Sequence, residues 1–175
     1  DFAGAFGHTI GSVWGDLDRD GDTDMVAANL AHSAWLCFSD KTMVYRSSGG
    51  ASPAFTDVRA DSGVAYVETH SDPSLVDFDN DGLLDLHVTH VYDGWRASTY
   101  RNTTAAAPGS PIRFTDVTHV SGIHPRTGWG TGWADYDRDG DLDLAGSGLW
   151  RNRTVGEVAN HWLDVVVRGC GLSNR

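Results

Sequence analysis

Aspartates recur in this chain at a spacing that suits the binding of a hard cation. Three nine-residue loops carry the pattern DxDxDGxxD, and they span residues 16–24, 77–85 and 135–143. Carboxylates this crowded repel one another, so three such clusters are expected to fold only around a positive charge. The loops contain no Cys or His, and oxygen ligands of flexible geometry favour Ca²⁺ over Mg²⁺. The sequence therefore predicts about three Ca²⁺ ions, one in each loop.

The positions within each loop assign the expected ligands. Side chains at positions 1, 3, 5 and 9 and the backbone carbonyl at position 7 would surround the ion, while Gly at position 6 allows the sharp turn. An EF-hand would need a Glu at position 12, where this chain has Ala27, Val88 and Gly146. The predicted ligands are Asp16, Asp18, Asp20, Asp22 and Asp24; Asp77, Asp79, Asp81, Leu83 and Asp85; and Asp135, Asp137, Asp139, Asp141 and Asp143. Acidic surface turns without an ion are the alternative, which three copies in register disfavour.

Short apolar runs flank every loop and predict strands. Residues 12–15 precede the first loop and residues 25–27 follow it, and the other two loops have similar flanks. These runs are too short for helices and lack a period of 3.6 residues. The chain is also rich in Gly, with 21 residues, and poor in strong helix formers. We expect an all-β protein in which each ion pins a β-hairpin connection.

Two further motifs recur between the loops and define a structural repeat. Phe-Thr-Asp-Val begins at residues 55 and 114 and is followed by Ser-Gly-Val or Ser-Gly-Ile, and an aromatic-Arg pair begins at residues 45, 100 and 150. Each repeat has room for about four short strands, which is typical of a β-propeller blade. The aromatic-Arg pair follows its loop at ever shorter distance along the chain. The connection between the second and third strands is therefore expected to vary most.

These motifs resemble FG-GAP or VCBS repeats, the calcium-binding blades of integrin alpha-subunit propellers and of many secreted bacterial proteins. The tail, with Asn-His-Trp-Leu from residue 160 and Ser-Asn-Arg at its close, resembles the start of an ASPIC/UnbV module. The resemblance implies blades at residues 1–60, 61–119 and 120–159 and an ASPIC/UnbV-like segment at 160–175. Such propellers close with more than three blades, so it also implies that these four-stranded antiparallel units are part of a larger propeller.

The charge distribution excludes some partners. The chain has a net charge of −11, and its loops hold 14 of the 24 acidic residues. Outside the loops the charge is nearly balanced and no basic stripe is present, so we expect no nucleic-acid partner. No run of 18 apolar residues and no signal-peptide pattern occur, which predicts a soluble chain without a membrane span, from which any export signal is already removed.

The resemblance implies an interaction module that binds other protein chains or glycans and has no catalysis of its own. Extracellular calcium modules often bind at about 10⁻⁴–10⁻³ M, so we expect a secreted, extracellular or periplasmic location. Contacts would use the variable loops and the Trp-rich stretches at Trp95 and residues 129–133, with self-assembly or a larger complex as a further possibility. The alternatives are part of a propeller lyase or hydrolase and an accessory structural subunit of a larger extracytoplasmic complex.

Three smaller features leave alternatives open. His70, His87 and His90 form the densest histidine group, which could serve as a transition-metal or acid–base site. However, His87 and His90 would face opposite sides of one strand, which disfavours a shared site. The Asn102 and Asn152 sites match the N-glycosylation pattern, and a structural role in the repeated motif explains them equally well. The two cysteines, Cys37 and Cys170, are either one disulfide or two buried thiols.

Overall fold

The structure is a computed structural model that describes residues 8–30, 41–123, 125–126 and 128–153. Its strands are β1 (Thr9–Gly15), β2 (Asp24–Asn29), β3 (Met43–Ser47), β4 (Phe55–Asp57), β5 (His70–Val76), β6 (Asp85–His90), β7 (Ser98–Asn102), β8 (Phe114–Asp116), β9 (Gly132–Ala134), β10 (Asp143–Ala145) and β11 (Leu149–Trp150). The one described helix is α1 (Arg59–Ser62). The predicted all-β class is confirmed.

The strands form three antiparallel sheets. Two are four-stranded, with the orders β1-β2-β3-β4 and β5-β6-β7-β8, and one contains β9, β10 and β11 in sequence order. A meander in which each strand pairs with the next is the architecture of a propeller blade. The fourth strand predicted for the third unit falls beyond residue 153, outside the described residues. The blade boundaries and the larger propeller stay predictions.

Each acidic loop connects the first and second strands of its sheet. The last residue before the loop pairs with the Asp at position 9 in all three hairpins. These pairs are Gly15 with Asp24, Val76 with Asp85 and Ala134 with Asp143. The same register in three copies means that the strands present every loop in the same way, at the same end of the hairpin.

The largest apolar core lies between the first two sheets. Buried side chains from both sheets meet there, among them Val26, Val44, Leu86 and Tyr100. Leu17, at position 2 of the first loop, belongs to the same core and is fully buried. Full burial of a side chain of this size contributes roughly 1.5–3 kcal/mol. The core thus anchors the first loop as well as the strands.

The Ser-Gly pair that follows Phe-Thr-Asp-Val closes a tight turn against the next blade. Gly63 caps the C-terminus of helix α1, and its φ of 86° is in the left-handed region. A Cβ at Gly63 would collide with the carbonyl oxygen of Phe114 in the second sheet. Gly122 occupies the equivalent place in the second repeat with a φ of 72°. The recurrence of Gly in this motif therefore has a conformational cause.

The connection between the second and third strands shortens along the chain. It runs from Asn29 to Met43 in the first sheet, from His90 to Ser98 in the second and from Ala145 to Leu149 in the third. This trend agrees with the sequence spacing. Residues 31–40 of the first connection, both cysteines and the tail at 160–175 lie outside the described residues. Among the residues described, no helix combines the length and the apolar character needed to cross a membrane.

Candidate metal centre

The carboxylate at position 1 holds each loop closed. Its Oδ1 accepts a hydrogen bond from the backbone N–H of position 5, at 3.2 Å for Asp16 and 3.0 Å for both Asp77 and Asp135. Its Oδ2 accepts the N–H of the glycine at position 6, at 2.9–3.0 Å in the three loops. Both oxygens therefore order the loop before any ion is considered.

The backbone at positions 4 and 6 takes left-handed conformations. Position 4 has φ of 60° at Arg19, 57° at Asn80 and 61° at Arg138, and these are the described non-Gly residues with positive φ. The glycines at position 6 have φ values from 84° to 96°. Positive φ is uncommon for residues with a side chain, and a repeated instance marks a loop whose shape is tightly determined.

The Asp at position 9 joins the start of its loop to the third strand of its sheet. Its Oδ2 accepts the N–H of position 2, and its Oδ1 accepts the N–H of the residue after the aromatic-Arg pair. The second of these bonds runs from Ser47 to Asp24 at 2.9 Å, from Asn102 to Asp85 at 2.7 Å and from Asn152 to Asp143 at 2.7 Å. Each position 9 carboxylate is almost fully buried.

Burial makes these carboxylates costly to ionise without a cation. Desolvation raises the pKa of Asp24 to about 6 and the pKa of Asp85 to about 7, against the lowering effect of their backbone hydrogen bonds. The charged form of a buried acid is favoured again when a cation lies beside it. Both groups therefore fit a loop that carries a bound positive ion.

An arginine in the third strand, or directly after it in the third sheet, pairs with the carboxylate at position 3. Arg46 Nε lies 2.7 Å from Asp18 Oδ2 in the first loop. The other two copies repeat this ion pair, with 2.6 Å from Arg101 Nε to Asp79 Oδ2 and 2.6 Å from Arg151 Nε to Asp137 Oδ2. Sequence reasoning missed this role, although the recurrence of the aromatic-Arg pair at one place in each repeat was its signal.

The other oxygen of position 3 has no protein partner. Oδ1 of Asp18, Asp79 and Asp137 is buried and accepts no hydrogen bond in any of the three loops. One oxygen each from positions 1, 3 and 9 lie within 4.8 Å of one another in every loop. A buried carboxylate oxygen without a partner is destabilising, and here it sits beside two further carboxylates. The residues present therefore fit a bound cation.

The side chains at positions 5 and 7 do not join the group formed by the carboxylates at positions 1, 3 and 9. The position 5 side chain is not a member of the 4.8 Å group in any loop. Its Oδ1 accepts the N–H of position 7 at 2.8–3.1 Å, and its Oδ2 faces the arginine. At position 7 the side chain varies: Leu83 is buried, and the side chain of Asp141 accepts a bond from Asn80 of the preceding loop. In each loop the carboxylates at positions 1, 3 and 9 therefore lie together, whereas the carboxylate at position 5 contacts the arginine.

Residues 77–146 match the family model for an FG-GAP-like repeat. This FG-GAP-like stretch begins at position 1 of the second loop and ends three residues after the third, so it covers one full repeat period. The first loop lies outside this stretch, but it has the equivalent internal hydrogen bonds and an arginine, Arg46, at the equivalent position. Neither the curated proteins nor the solved structures gave a match to this chain.

Asparagines link the loops of neighbouring repeats. Asn102 Nδ2 donates to the carbonyl of Leu17 in the first loop and to that of Leu84 in the second, both at 3.0 Å. Asn152 Nδ2 donates in the same way to Phe78 at 2.6 Å and to Leu142 at 3.2 Å. The loops of the FG-GAP-like stretch and the first loop therefore form one continuous row. Since the Asn102 amide is buried and donates twice, its role is structural.

A second connection covers the first loop. Gly109, between β7 and β8, donates its N–H to the carbonyl of Asp18 at 3.1 Å and accepts a bond from Arg46 at 3.0 Å. The first acidic loop is therefore held by backbone from the second repeat as well as by its own arginine.

The three histidines are buried and do not join a metal-ligating group among the described residues. His70 and His90 meet edge to face with ring centroids 4.9 Å apart, whereas His87 packs on Trp133. His87 and His90 thus have different neighbours, as the strand spacing predicts. Desolvation lowers the pKa of His70 to about 3 and the pKa values of His87 and His90 to about 4, so all three are neutral at pH 7.

Proposed function

We propose that the protein is a calcium-stabilised, β-propeller-type interaction module of the FG-GAP/VCBS kind, without catalysis of its own. The observation that carries this proposal is the buried Oδ1 at position 3, which lacks a partner in all three loops and lies beside two other carboxylates. A single buried carboxylate oxygen without a partner would have a local explanation in the packing around it. Three copies in register point to a common ligand for the loops.

The donor set favours Ca²⁺. Every side chain gathered at the site is a carboxylate, and the backbone carbonyl at position 7 would supply a further oxygen. Ca²⁺ accepts six to eight oxygens in flexible geometry, whereas Mg²⁺ requires a near-ideal octahedron and gives up its water reluctantly. When bound, the ion would supply charge neutralisation and cross-linking, and the chain would supply the preformed loop.

Ion binding would act on folding. The loop joins the first two strands, and positions 3 and 9 are tied to the third strand by the arginine and by backbone hydrogen bonds. A ligand that binds only the folded state adds about 2.7 kcal/mol when its concentration is a hundred times its Kd. Calcium sites with a Kd of about 10⁻⁴–10⁻³ M are occupied outside cells, so we propose a secreted, extracellular or periplasmic setting.

The interaction role is supported by exposed aromatic side chains. Trp95 is 44% exposed and Trp129 is 68% exposed. Both lie away from the acidic loops, on the connections at the other end of the strands. We propose protein chains or glycans as partners, with self-assembly or incorporation into a larger propeller or complex. The ASPIC/UnbV-like tail at residues 160–175 belongs to the same proposal.

A propeller lyase or hydrolase is the second candidate. The observation in its favour is that Nε2 of both His70 and His87 is buried and has no hydrogen-bond partner among the described residues. An assay of polysaccharide and ester cleavage with the wild type and with His70→Gln tests this role. Turnover that His70→Gln abolishes, in a variant that still folds, would establish the enzymatic candidate over the binding module.

Thermal unfolding with different divalent ions tests the calcium proposal. The protein in about 10 mM Ca²⁺ should unfold at least about 5 °C above the protein in excess chelator, because at ten to a hundred times its Kd each bound ion is worth about 1.4–2.7 kcal/mol. Mg²⁺ at the same concentration should give a much smaller shift. Equal unfolding temperatures in Ca²⁺ and in chelator would overturn the proposal.

A further inference from the structure

A cleft lies at the end of the second sheet opposite the acidic loop. It has a volume of about 380 Å³ and is lined by Asp93, Gly94, Trp95, Arg96 and Arg126. The first four residues belong to the connection between β6 and β7. The fifth comes from the chain that leads into the third sheet. Strand β6 runs from the acidic loop to this connection, so the cleft and the calcium loops occupy opposite ends of the strand.

Two arginines face each other in this cleft without a described counter-ion. Arg96 and Arg126 are antiparallel β-bridge partners, and both are exposed. Like charges directly opposite each other across a bridge are destabilising. None of the ion pairs between described residues involves either guanidinium. Two guanidiniums offer ten N–H donors, and a carboxylate between them would relieve the repulsion and accept several charge-assisted hydrogen bonds.

Trp95 supplies an aromatic platform next to the arginines. Its ring stacks on His90 with an interplanar angle of 12° and a centroid distance of 6.0 Å, and 44% of the residue stays exposed. The contact with the buried His90 fixes the indole in one orientation. A rigid, half-exposed ring at the wall of a polar cleft is suited to pack against the apolar face of a flat ligand such as a sugar ring.

Asp93 narrows the choice of ligand. Two guanidiniums and one carboxylate leave a single net positive charge in the cleft, which matches one ligand carboxylate. A carboxylate in the wall also accepts hydrogen bonds from hydroxyl groups, which a sugar has in plenty. An acidic peptide or a run of phosphates would bring its negative charge against Asp93 without the hydroxyl groups from which this carboxylate accepts hydrogen bonds.

Backbone hydrogen bonds hold the cleft open in a fixed shape. The N–H of Ala97 donates to Pro125 at 3.0 Å, and the N–H of Gly128 donates to His90 at 2.7 Å. Ser147, in the turn between β10 and β11, donates from its hydroxyl group to the carbonyl of Arg126 at 3.0 Å. The two arms of the cleft are thus tied to each other and to the next blade, which lowers the ordering cost of binding.

We propose that this cleft binds a uronate, a sugar ring that carries a carboxylate, with the carboxylate between Arg96 and Arg126, the ring on Trp95 and hydroxyl groups on Asp93. The inference deepens the proposed interaction function and rests on it. It names the ligand class as an acidic glycan, and it assigns to the β6–β7 connection a role that is separate from the calcium loops.

Binding of defined trisaccharides to the full chain tests the proposal. The probes are uronate trimers of the galacturonate, mannuronate and glucuronate types, and each is compared with its methyl ester, which keeps the ring and removes the charge. Calorimetry in about 1 mM Ca²⁺ should show at least one uronate trimer binding more than tenfold more tightly than its ester. No difference for any of the three trimers would overturn the proposal.

Variants locate the site and separate this proposal from the calcium proposal. Arg126→Gln and Trp95→Ala should each weaken uronate binding at least tenfold, while Arg153→Gln, an exposed arginine outside the cleft, should leave it unchanged. Bound calcium is counted for each variant and should not change. Uronate binding by a chain that binds no calcium would refute the calcium proposal alone, and calcium binding without uronate binding would refute the cleft alone.

A glutamate pentapeptide distinguishes the competing ligand class. Asp93→Asn should weaken uronate binding, because the hydroxyl groups lose their charged acceptor. If the peptide binds more tightly than every uronate trimer, and Asp93→Asn strengthens its binding, the cleft is an acidic-peptide site and the uronate proposal is wrong.

Discussion

Arg46 Nε lies 2.7 Å from Asp18 Oδ2, and this contact recurs in each of the three acidic loops. The arginine takes one oxygen of the position 3 carboxylate and leaves the other one without a protein partner. Burial still raises the pKa of Asp18 in spite of the guanidinium. The arginine therefore neutralises part of the cluster and leaves a place for a second cation.

Replacement of Arg46 should lower the unfolding temperature of the ion-free protein more than that of the calcium-loaded protein. In Arg46→Gln, two carboxylates of the first loop lose their only described cationic partner, whereas a bound Ca²⁺ still neutralises the cluster. We expect the difference in unfolding temperature between calcium and chelator to be larger than in the wild type. Calorimetry measures it, with Arg96→Gln as the control of equal charge change. A smaller difference in Arg46→Gln would contradict this role.

Positions 3 and 7 of the first loop should respond differently to the same isosteric change. Asp18→Asn replaces the carboxylate that offers its free oxygen to the ion, so this loop should lose its calcium. Asp22→Asn alters a side chain at a position where only the backbone carbonyl is assigned to the ion, so binding should persist. Equilibrium dialysis counts the ions. Equal loss in both variants would show that the assignment of ligands is wrong.

Calcium affinity at the second loop should depend on pH. Burial raises the pKa of Asp85 to about 7, and the ion requires the ionised form, so binding must displace a proton when the pH lies below this value. We expect the affinity to fall about tenfold for each pH unit below 7 and to level off above it. At the first loop the fall should begin near pH 6, where Asp24 titrates.

The double variant Asp18→Asn with Asp137→Asn keeps only the second loop intact and isolates this effect. Calcium titrations at about pH 7.5, 6.5 and 5.5 give its affinity in each condition. Constant affinity over this range would mean that Asp85 is already ionised in the ion-free protein.

Asn102→Ala should destabilise the fold. The substitution leaves the carbonyls of Leu17 and Leu84 without their described side-chain donor, which costs roughly 1–3 kcal/mol for each buried group. Chemical denaturation in calcium measures the change. Thr103→Ala, next to it and exposed, should cost less than about 0.5 kcal/mol. A neutral Asn102→Ala would mean that the bridge between the loops contributes nothing.

The burial of Asn102 also predicts the outcome of expression in a host that attaches N-linked glycans. Since the Asn102 side chain is 1% exposed and donates two hydrogen bonds, the folded protein should carry no glycan at this site. Mass spectrometry of the corresponding peptide decides it. A glycosylated Asn102 in natively folded protein would contradict the described packing.

Local patterns in the sequence were enough to predict the hairpins and to include the carboxylates at positions 1, 3 and 9 that the structure brings together. Each of these depends on spacing within nine residues and on short flanking strands, and both are visible in the chain. The contacts of Arg46 with Asp18 and of Asn102 with Leu17 join residues far apart in sequence, and they depend on how sheets and repeats pack. Their recurrence in the repeat was visible, but their partners were not.

The pairing of Arg96 with Arg126 shows the same limit. No periodicity connects the β6–β7 connection with the chain before β9, because only the third blade packing beside the second brings them together. The cleft at Trp95 therefore could not be located from the sequence, although the exposed tryptophan itself could be suspected.

The number of calcium ions bound to the native chain tests the central claim most directly. Elemental analysis of protein dialysed against about 10 mM Ca²⁺, with the calcium of the dialysate subtracted, should find about three ions per chain. Dialysis against chelator should remove them and lower the unfolding temperature. Fewer than one ion per chain, with an unfolding temperature that the chelator does not change, would contradict the account.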